Sequence, residues 1–524
     1  MLIGDIAANN ARRYPDKTAL VDADRVHTWS QVDERARRLA NHLTTRGLTP
    51  GDRVMVIARN CIEWPEISFG LAKAGLVAVP VNIRLAPDEV AHVRDDSGAR
   101  AVIIHADHAE KFHNELTGLG VVMTIGPDYE SSLAAADPSV PPADIAPDDV
   151  AVILYTSGTT GRAKGVMHTH RALLYQAADT NLVTEANRSD VMLATTPFFT
   201  AGGMVRTVSW LYLGQTMVIH QRFDPQAVID EIEHSRITFT TFIPTMLHRA
   251  LAILEDGPPR DMSSLRRISY GSAPVPPGLA RKAMDLLGCD LQQRYGLTEC
   301  GGQATILTPQ DHRDIVAGRT SIATSCGRET PMCVIRVVDS DGNDAATGEV
   351  GEIVIASPAN AVGYWNRPEQ TAETFRPDGL RSGDLGYLDE DGYLHITGRK
   401  TDMIISGGFN VYPAEIERVI AHHAGVDLVA VVGAPDPEWG ETPVAVIIPK
   451  SDVTDRDALS TELATLCRAE LAGYKQPRRF LFWSEFPLGP AGKILKREIA
   501  NQVNHVVDDN AMMPVSTGST KEHP

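Results

Sequence analysis

Short apolar runs rich in β-branched residues recur through the first 310 residues, each followed by a turn or by a stretch with helical spacing. They read RVMVIA, GLVAVPVN, AVIIHA, AVILYT, MLATTP, TMVIH, FTTFIP, RRISYG and LQQRYG. Before the first of them, residues 29 to 46 place Val32, Ala36, Leu39, Ala40 and Leu43 on one face of a helix, and residues 63 to 75 form a second helical stretch. Parallel strands cannot be joined by a tight turn and need a crossover, usually a helix. The alternation therefore predicts an α/β body built on layered parallel sheets. After about residue 318 the pattern changes. VIRVVDSDGN, GEVGEIVIAS and GYLDEDGYLHITG carry Asp-Gly turns between short alternating strands, which reads as a β-rich subdomain of antiparallel hairpins. Near Arg399 it changes again: DMIISGGFN is strand plus glycine turn, and Pro413 opens a helix with Glu415 and Glu417 near its start and Ile416, Val419 and Ile420 on its buried face. With LVAVVGA, PVAVIIPK and a helix over residues 459 to 472, this predicts a compact α+β domain of about 100 residues.

Lys plus Arg is 49 and Asp plus Glu is 67, so the formal net charge is 49 − 67 = −18. Such a chain has no global field to collect nucleic-acid backbones or anionic membranes, although a small anion site remains open to it. The six cysteines are scattered and form no CxxC pair, which predicts free thiols in a reducing compartment. Asp5 and the Arg12-Arg13 pair interrupt any apolar leader, and no run reaches the ~18 apolar residues of a membrane span. A cytoplasmic protein without a membrane span or nucleic-acid partner is expected. The last residues, 504 to 524, lack periodicity and read as a disordered tail.

The segment richest in chemistry is Thr156 to His170, TSGTTGRAKGVMHTH, directly after the strand AVILY. Gly158, Gly161 and Gly165 let the backbone approach an anion, Thr156, Ser157, Thr159 and Thr160 offer hydroxyl donors, and Lys164 supplies charge. The composition is that of a phosphate cradle, in the order strand, glycine turn, helix. Neither the Walker spacing nor GxGxxG is present. His168, His170, His422 and His423 have no acidic or cysteine partner at ligand spacing, so they read as helix-surface or loop residues.

TSGTTGRAKG resembles the signature of adenylate-forming enzymes, the group of acyl-CoA synthetases, nonribosomal-peptide adenylation domains and luciferases. YGSAP (270 to 274), QRYGLTE (293 to 299), RSGDLG (381 to 386), GRKTDMIISGGFNVYPAEIE (398 to 417) and PLGPAGKILKRE (487 to 498) follow in that group's order. The resemblance spans about residues 5 to 500. It implies an acid–CoA ligase that attaches a carboxylate to the α-phosphate of ATP, releases pyrophosphate, and passes the acyl group to CoA with release of AMP. It implies ATP, CoA and Mg²⁺ as cofactors. Lys164 and the loop residues to Gly161 would hold the β and γ phosphates. Gly271, Ser272 and Ala273 would wall the adenine, Tyr295 and Gly296 would lie against it, Thr298 would meet the α-phosphate, and Glu299 would bind the metal. Asp384 would hold the ribose with Arg399 beside it. Lys493 would neutralise charge during adenylation. Gly407, Gly408 and Phe409 would line the CoA tunnel, joined by Tyr474 and Lys475. The resemblance further implies an N-terminal body over residues 1 to 398 with its β-rich part at about 318 to 398. A hinge at 399 to 402 carrying Lys400 and Thr401 follows, then a mobile C-terminal domain over 403 to 503 that alternates between two poses.

Departures from the pattern bear on the substrate. PFFTAGGM places Thr200 where many relatives carry a histidine, after Phe199 and before Gly202 and Gly203. With Gly301 and Gly302 this predicts a roomy acyl pocket for a bulky, branched or polycyclic acid. Pro197-Phe198-Phe199 lacks the acid that holds the ammonium in amino-acid adenylation domains. A ligase specialised for one half-reaction, an amino-acid adenylating enzyme and a non-catalytic nucleotide sensor stand as the alternatives, and a homodimer is compatible with the resemblance.

Overall fold

The computed structural model describes residues 1–139, 143–156, 162–271, 273–437, 439–488 and 494–510, the side chains of 256 and 505–510 apart. The chain divides into two compact units, one of Met1–Ser382 with Tyr387–His395, the other of Gly383–Gly386 with the chain from Ile396 on.

In the first unit, Val150–Thr156, Val77–Pro80, Arg53–Ile57, Ala101–His105 and Val121–Ile125 run parallel as five neighbouring strands of a seven-stranded sheet. Both of its faces are covered. Val54, Val56, Ala78 and Ile103 enter one core, and Met55, Ile57, Val79, Val102 and Ile104 enter another, which is why these strands read as continuous apolar runs rather than alternating ones. The helix Trp29–Thr45 buries Val32, Ala36, Leu39, Ala40 and Leu43 completely. Its start is set by a reciprocal cap: Thr28 Oγ1 accepts from the Gln31 amide at 3.4 Å, and Gln31 Oε1 accepts from the Thr28 amide at 2.8 Å.

A nine-stranded sheet lies in the same unit. Its parallel centre runs through Asp290–Tyr295, Arg267–Gly271, Phe239–Phe242, Val191–Ala194, Thr216–Ile219 and Thr18–Asp22. Antiparallel strands Thr305–Leu307 and Arg25–Thr28 close its two flanks. The hairpin region is antiparallel as the Asp-Gly turns predict, with Ile335 opposite Ile355 and Phe375 opposite Leu380.

The second unit is α+β. Val426–Asp436 and Gly440–Pro449 form its antiparallel centre, Ile404–Ser406 and Arg479–Phe482 flank Gly440–Pro449, and Pro413–Ala421 and Arg456–Glu470 supply helices. Ile416 and Ile420 are fully buried against Val431 and Ala445. Among the described residues no helix is long and apolar enough to cross a membrane.

One expected order is corrected. The glycine-rich segment does not lead into a helix. Lys164–Thr169 is a strand antiparallel to Val150–Thr156, with Thr156 opposite Lys164, and the helix begins only at His170. Lys164, Val166 and His168 share one face of this strand, which is paired on both of its sides. Lys164 is therefore carried by a strand.

Candidate active site

Lys164 is positioned by two ladders at once. Its strand pairs on one side with Val150–Thr156 and on the other with Gly363–Tyr364, where Tyr364 lies opposite Val166. The Lys164 ammonium lies 3.6 Å from the centroid of the Tyr364 ring, a cation–π contact. The Tyr364 hydroxyl donates to Glu299 Oε1 at 2.9 Å. Tyr364 and Glu299 are 4% and 9% exposed, so the bond is made out of water. Burial, reinforced by the Glu299 charge, pushes the Tyr364 hydroxyl far above its ordinary pKa and keeps it a donor. A backbone bond from the Ala361 amide to the Glu299 carbonyl, 2.8 Å, ties the same segments. The sequence reading missed Tyr364, which lies outside the motifs it used and arrives through strand pairing.

Glu299 sits in the 3-10 turn Thr298–Cys300 that follows the strand Asp290–Tyr295. The turn is closed by the Gly301 amide on the Thr298 carbonyl at 3.0 Å. Tyr295, Gly296 and Thr298 are half-buried at the carboxyl end of that strand, and Gly271 lies opposite Arg294 on the neighbouring one. Ala273 is exposed. Strand ends of a parallel sheet are where an α/β fold places ligands. Thr156 is half-buried opposite Lys164. Ser157, Gly158, Thr159, Thr160, Gly161, Ser272 and Lys493 lie outside the described residues.

The expected acyl-pocket set divides. Phe199 is buried and Thr200 caps the helix Ala201–Leu211, its Oγ1 accepting from the Gly203 amide at 3.1 Å and donating to the Pro197 carbonyl at 2.8 Å. Gly203 does not widen a pocket: a side chain there would run into the Pro197 carbonyl and the Phe198 backbone. Gly301 has φ of +74° and faces Gln176, so it serves the turn. Gly202 and Gly302 are the two that leave room. A Cβ at Gly302 would meet nothing within 4 Å, and one at Gly202 would come to 3.4 Å from the Arg206 guanidinium.

In the second unit Asp384 is 6% exposed and its Oδ1 accepts from Arg399 Nε at 2.9 Å, so these two stand together as the motifs imply. The Lys400 amide donates to the Gly383 carbonyl at 2.9 Å, and the Thr401 hydroxyl to Asp402 at 3.2 Å. Gly407 and Gly408 make the two-residue turn between Ile404–Ser406 and Phe409–Val411 with φ of +57° and +83°, the left-handed pair a tight hairpin needs. Phe409, 55% exposed, stacks on Tyr474 with centroids 4.6 Å apart. Lys475 holds both Glu415 oxygens at 2.8 Å. The five residues expected to meet CoA thus lie on one patch.

Two histidine readings are corrected. His168 and His170 are 0% and 1% exposed, not surface residues, because the strand and the helix start that carry them pack inward. Burial pulls both down to about 4, so both are neutral imidazoles. Cys61, Cys289, Cys300, Cys326, Cys333 and Cys467 are all free and buried, as the sequence predicts.

A buried carboxylate beside a strand-held lysine, at the rim of a parallel sheet and downstream of a glycine-rich loop, defines a nucleotide-binding α/β enzyme. Comparison with known proteins specifies it. The family model of the AMP-binding enzyme matches residues 7–365, and that of the AMP-binding enzyme C-terminal domain matches residues 415–493. A feruloyl-CoA synthase of Amycolatopsis sp is 38% identical over 499 residues, 95% of this chain and 98% of that protein. A long-chain-fatty-acid–CoA ligase of Mycobacterium tuberculosis is 35% identical over 486 residues, 92% of this chain and 94% of that one. The structure of o-succinylbenzoate CoA synthetase from Bacillus subtilis with its acyl-adenylate intermediate superposes with a TM-score of 0.83 at 29% identity, covering 94% of this chain and 97% of that chain. The chain belongs to the AMP-binding, adenylate-forming enzyme family and is an AMP-forming acid–CoA ligase.

Proposed function

We propose the following division of labour among this chain's residues in activating a carboxylic acid with ATP and transferring the acyl group to CoA. In the first step a carboxylate oxygen attacks the α-phosphorus, and the bond to the bridging oxygen breaks with its electron pair leaving on pyrophosphate. Such a step needs charge neutralisation and alignment more than covalent help. Lys164 meets the outgoing phosphates, with the Tyr364 ring placing its ammonium, and Thr298 donates to the α-phosphate. Glu299 is a hard oxygen ligand of the kind Mg²⁺ takes, and the Tyr364 hydroxyl on Oε1 sets its orientation. Glu299 would hold Mg²⁺, which would supply positive charge against the phosphates. Asp384 holds the ribose hydroxyls, oriented by Arg399.

In the second step the CoA thiolate attacks the acyl carbonyl and AMP leaves with the electrons of the broken carbon–oxygen bond. Gly407, Gly408, Phe409, Tyr474 and Lys475 serve this step, and Lys493 serves the first. Residues with such separate duties are reconciled if the C-terminal domain, 403–503, turns about Lys400 and Thr401 between steps. The six free, buried thiols favour a reducing, cytoplasmic setting.

The observation that carries this reading is the Lys164–Tyr364–Glu299 array, which brings a cation and a metal-type ligand to one rim from segments 65 to 200 residues apart. The half-reactions test it when measured separately: acid-dependent exchange of pyrophosphate into ATP, and thioester formation from a supplied acyl-adenylate. Lys493→Ala abolishes the first and largely spares the second. Equal loss of both would overturn the two-pose assignment.

A further inference from the structure

One face of the nine-stranded sheet carries polar groups that the ligase chemistry above does not use. The parallel register places Thr241 beside Ser269, and Gly271 beside Arg294, on Phe239–Phe242, Arg267–Gly271 and Asp290–Tyr295. Residues in register across a parallel sheet, and those two apart along a strand, point the same way, so Thr241, Ser269 and Arg294 share a face with Phe239. Trp210 of the helix Ala201–Leu211 packs edge-on against Phe239 at 5.7 Å, which lays that helix over this face, and the Arg294 guanidinium lies 5.9 Å from the same ring. Arg206, one turn before Trp210, projects from the covering helix.

Thr241 Oγ1, Ser269 Oγ, and Arg294 Nε and Nη2 are all buried without a hydrogen-bond partner among the described residues. Arg294 is 7% exposed. Arg206 Nη1 donates to Thr196 Oγ1 at 3.4 Å, a long bond to a neutral group, and no carboxylate pairs with either arginine among the described residues. Asp179, whose charge Arg294 feels, spends its oxygens elsewhere, Oδ2 on Gln303 at 2.9 Å and Oδ1 on the Met332 amide at 3.3 Å. Burial and the charge of Arg206 together pull Arg294 down to about 9, and burial pulls Arg206 to about 10, so both remain cations at neutral pH. Asp179 offsets the Arg294 charge only through space, without a hydrogen bond, so the burial of that cation is costly, and the like charge of Arg206 adds to the cost. A fold retains such a pair where an anion arrives to complete it.

The pair adjoins the reaction. Arg294 directly precedes Tyr295 and leads into the Thr298–Cys300 turn, and Arg206 stands on the helix that Thr200 caps. Gly202, with its Cβ position 3.4 Å from Arg206 Nη1, is the residue whose enlargement would cover that guanidinium.

Building on the ligase reading, we propose that Arg206 and Arg294 form the anion-binding end of the acyl pocket, and that the acid substrate carries a distal carboxylate besides the one adenylated. Two guanidinium forks and two hydroxyls supply the donors a carboxylate's four lone pairs accept. The room left by Gly202 and Gly302 is then the path of a chain ending in charge, rather than a chamber for a polycyclic apolar group.

The test is acid-dependent pyrophosphate exchange with α,ω-dicarboxylic acids of four to ten carbons. Each is compared with its monomethyl ester and with the monocarboxylic acid of equal length. At least one diacid exceeds its ester in kcat/KM by roughly 30-fold or more, the size of effect expected when a buried charge loses its partner. In Arg294→Met and, separately, in Arg206→Met the ratio collapses to within a few-fold. The preferred diacid raises the unfolding midpoint of the parent and not of Arg294→Met, a binding readout independent of turnover. If Arg294→Met does not fold, the parent's diacid-to-ester ratio and Arg206→Met decide. Monoacids and esters used as well as every diacid would overturn the distal-carboxylate site and leave the ligase intact. Exchange with no acid at all would overturn the ligase reading, and this inference with it.

Discussion

Tyr364→Phe isolates one atom of the proposed metal-orienting array. The substitution keeps the ring 3.6 Å from the Lys164 ammonium and removes the hydroxyl that donates to Glu299 at 2.9 Å. A hydrogen bond to a charged group contributes about 1.5–3 kcal/mol. With donor and acceptor 4% and 9% exposed, water does not replace it freely. That range corresponds to roughly a 10- to 150-fold loss at 1.4 kcal/mol per factor of ten. Because Glu299 itself remains, the loss falls on how well its carboxylate is aimed. It therefore shows as a raised Mg²⁺ requirement in acid-dependent pyrophosphate exchange, largely recovered at saturating Mg²⁺. Tyr364→Leu removes the ring as well, forfeiting a further ~0.5–2 kcal/mol of cation–π attraction, and raises the KM for ATP in addition. A Tyr364→Phe enzyme within two-fold of the parent at every Mg²⁺ concentration would refute the assignment of Glu299 to the metal through Tyr364.

Three further outcomes are expected. His168 and His170 sit near 4 in the folded chain against 6.5 when unfolded, so below pH 6.5 the unfolded state binds protons the folded state refuses. Stability is then lost progressively from pH 6.5 down to about 4 and levels off below, by up to about 3 kcal/mol per histidine, and denaturant titrations of His168→Asn flatten that dependence. Gly203→Ala drives a methyl into the Pro197 carbonyl and costs about 1–3 kcal/mol or more, read as a lower urea midpoint. Phe409→Ala breaks the stack on Tyr474, worth about 0.5–1.5 kcal/mol, and raises the KM for CoA roughly 2- to 12-fold in thioester formation from supplied acyl-adenylate, with pyrophosphate exchange at parental rate.

Helices and parallel strands were legible because their signal is local. Val32 to Leu43 repeat at 3.6, and the buried strands announce themselves by unbroken β-branched runs. The glycine-rich segment misled because a turn is locally the same whether a strand or a helix follows; what decided was the pairing of Lys164–Thr169 with two separate strands, one of them 200 residues downstream. The same non-local pairing delivers Tyr364, whose neighbours in sequence carry no chemistry. Asp384 and Arg399, which the motifs bring together, meet as an ion pair between the strands Gly379–Leu388 and Leu394–Arg399, and Glu299 sits in the turn that its motif spells. His168 could not be placed this way, since burial belongs to the assembled sheet and not to the residue.

Charge gains a different meaning at this scale. At −18 the chain as a whole opposes ATP, CoA and an acid, but beyond about 8 Å that opposition is screened at physiological salt. Local cations decide, and they fall into two kinds. Arg399, Lys475 and Lys496 are already matched by Asp384, Glu415 and Glu417. Such pairs are oriented and nearly neutral, fitted to hold a polar ligand without attracting every anion. Arg206 and Arg294 have no carboxylate partner among the described residues, and with Arg206 half-buried and Arg294 buried their field is only weakly screened. An ammonium brought beside them would face two like charges in a low dielectric, with no acid in Pro197-Phe198-Phe199 to offset them. The pocket that lacks the amino-acid-binding carboxylate thus also carries the charge that repels an amino acid, and the same pair of arginines that disfavours that substrate favours one ending in an anion.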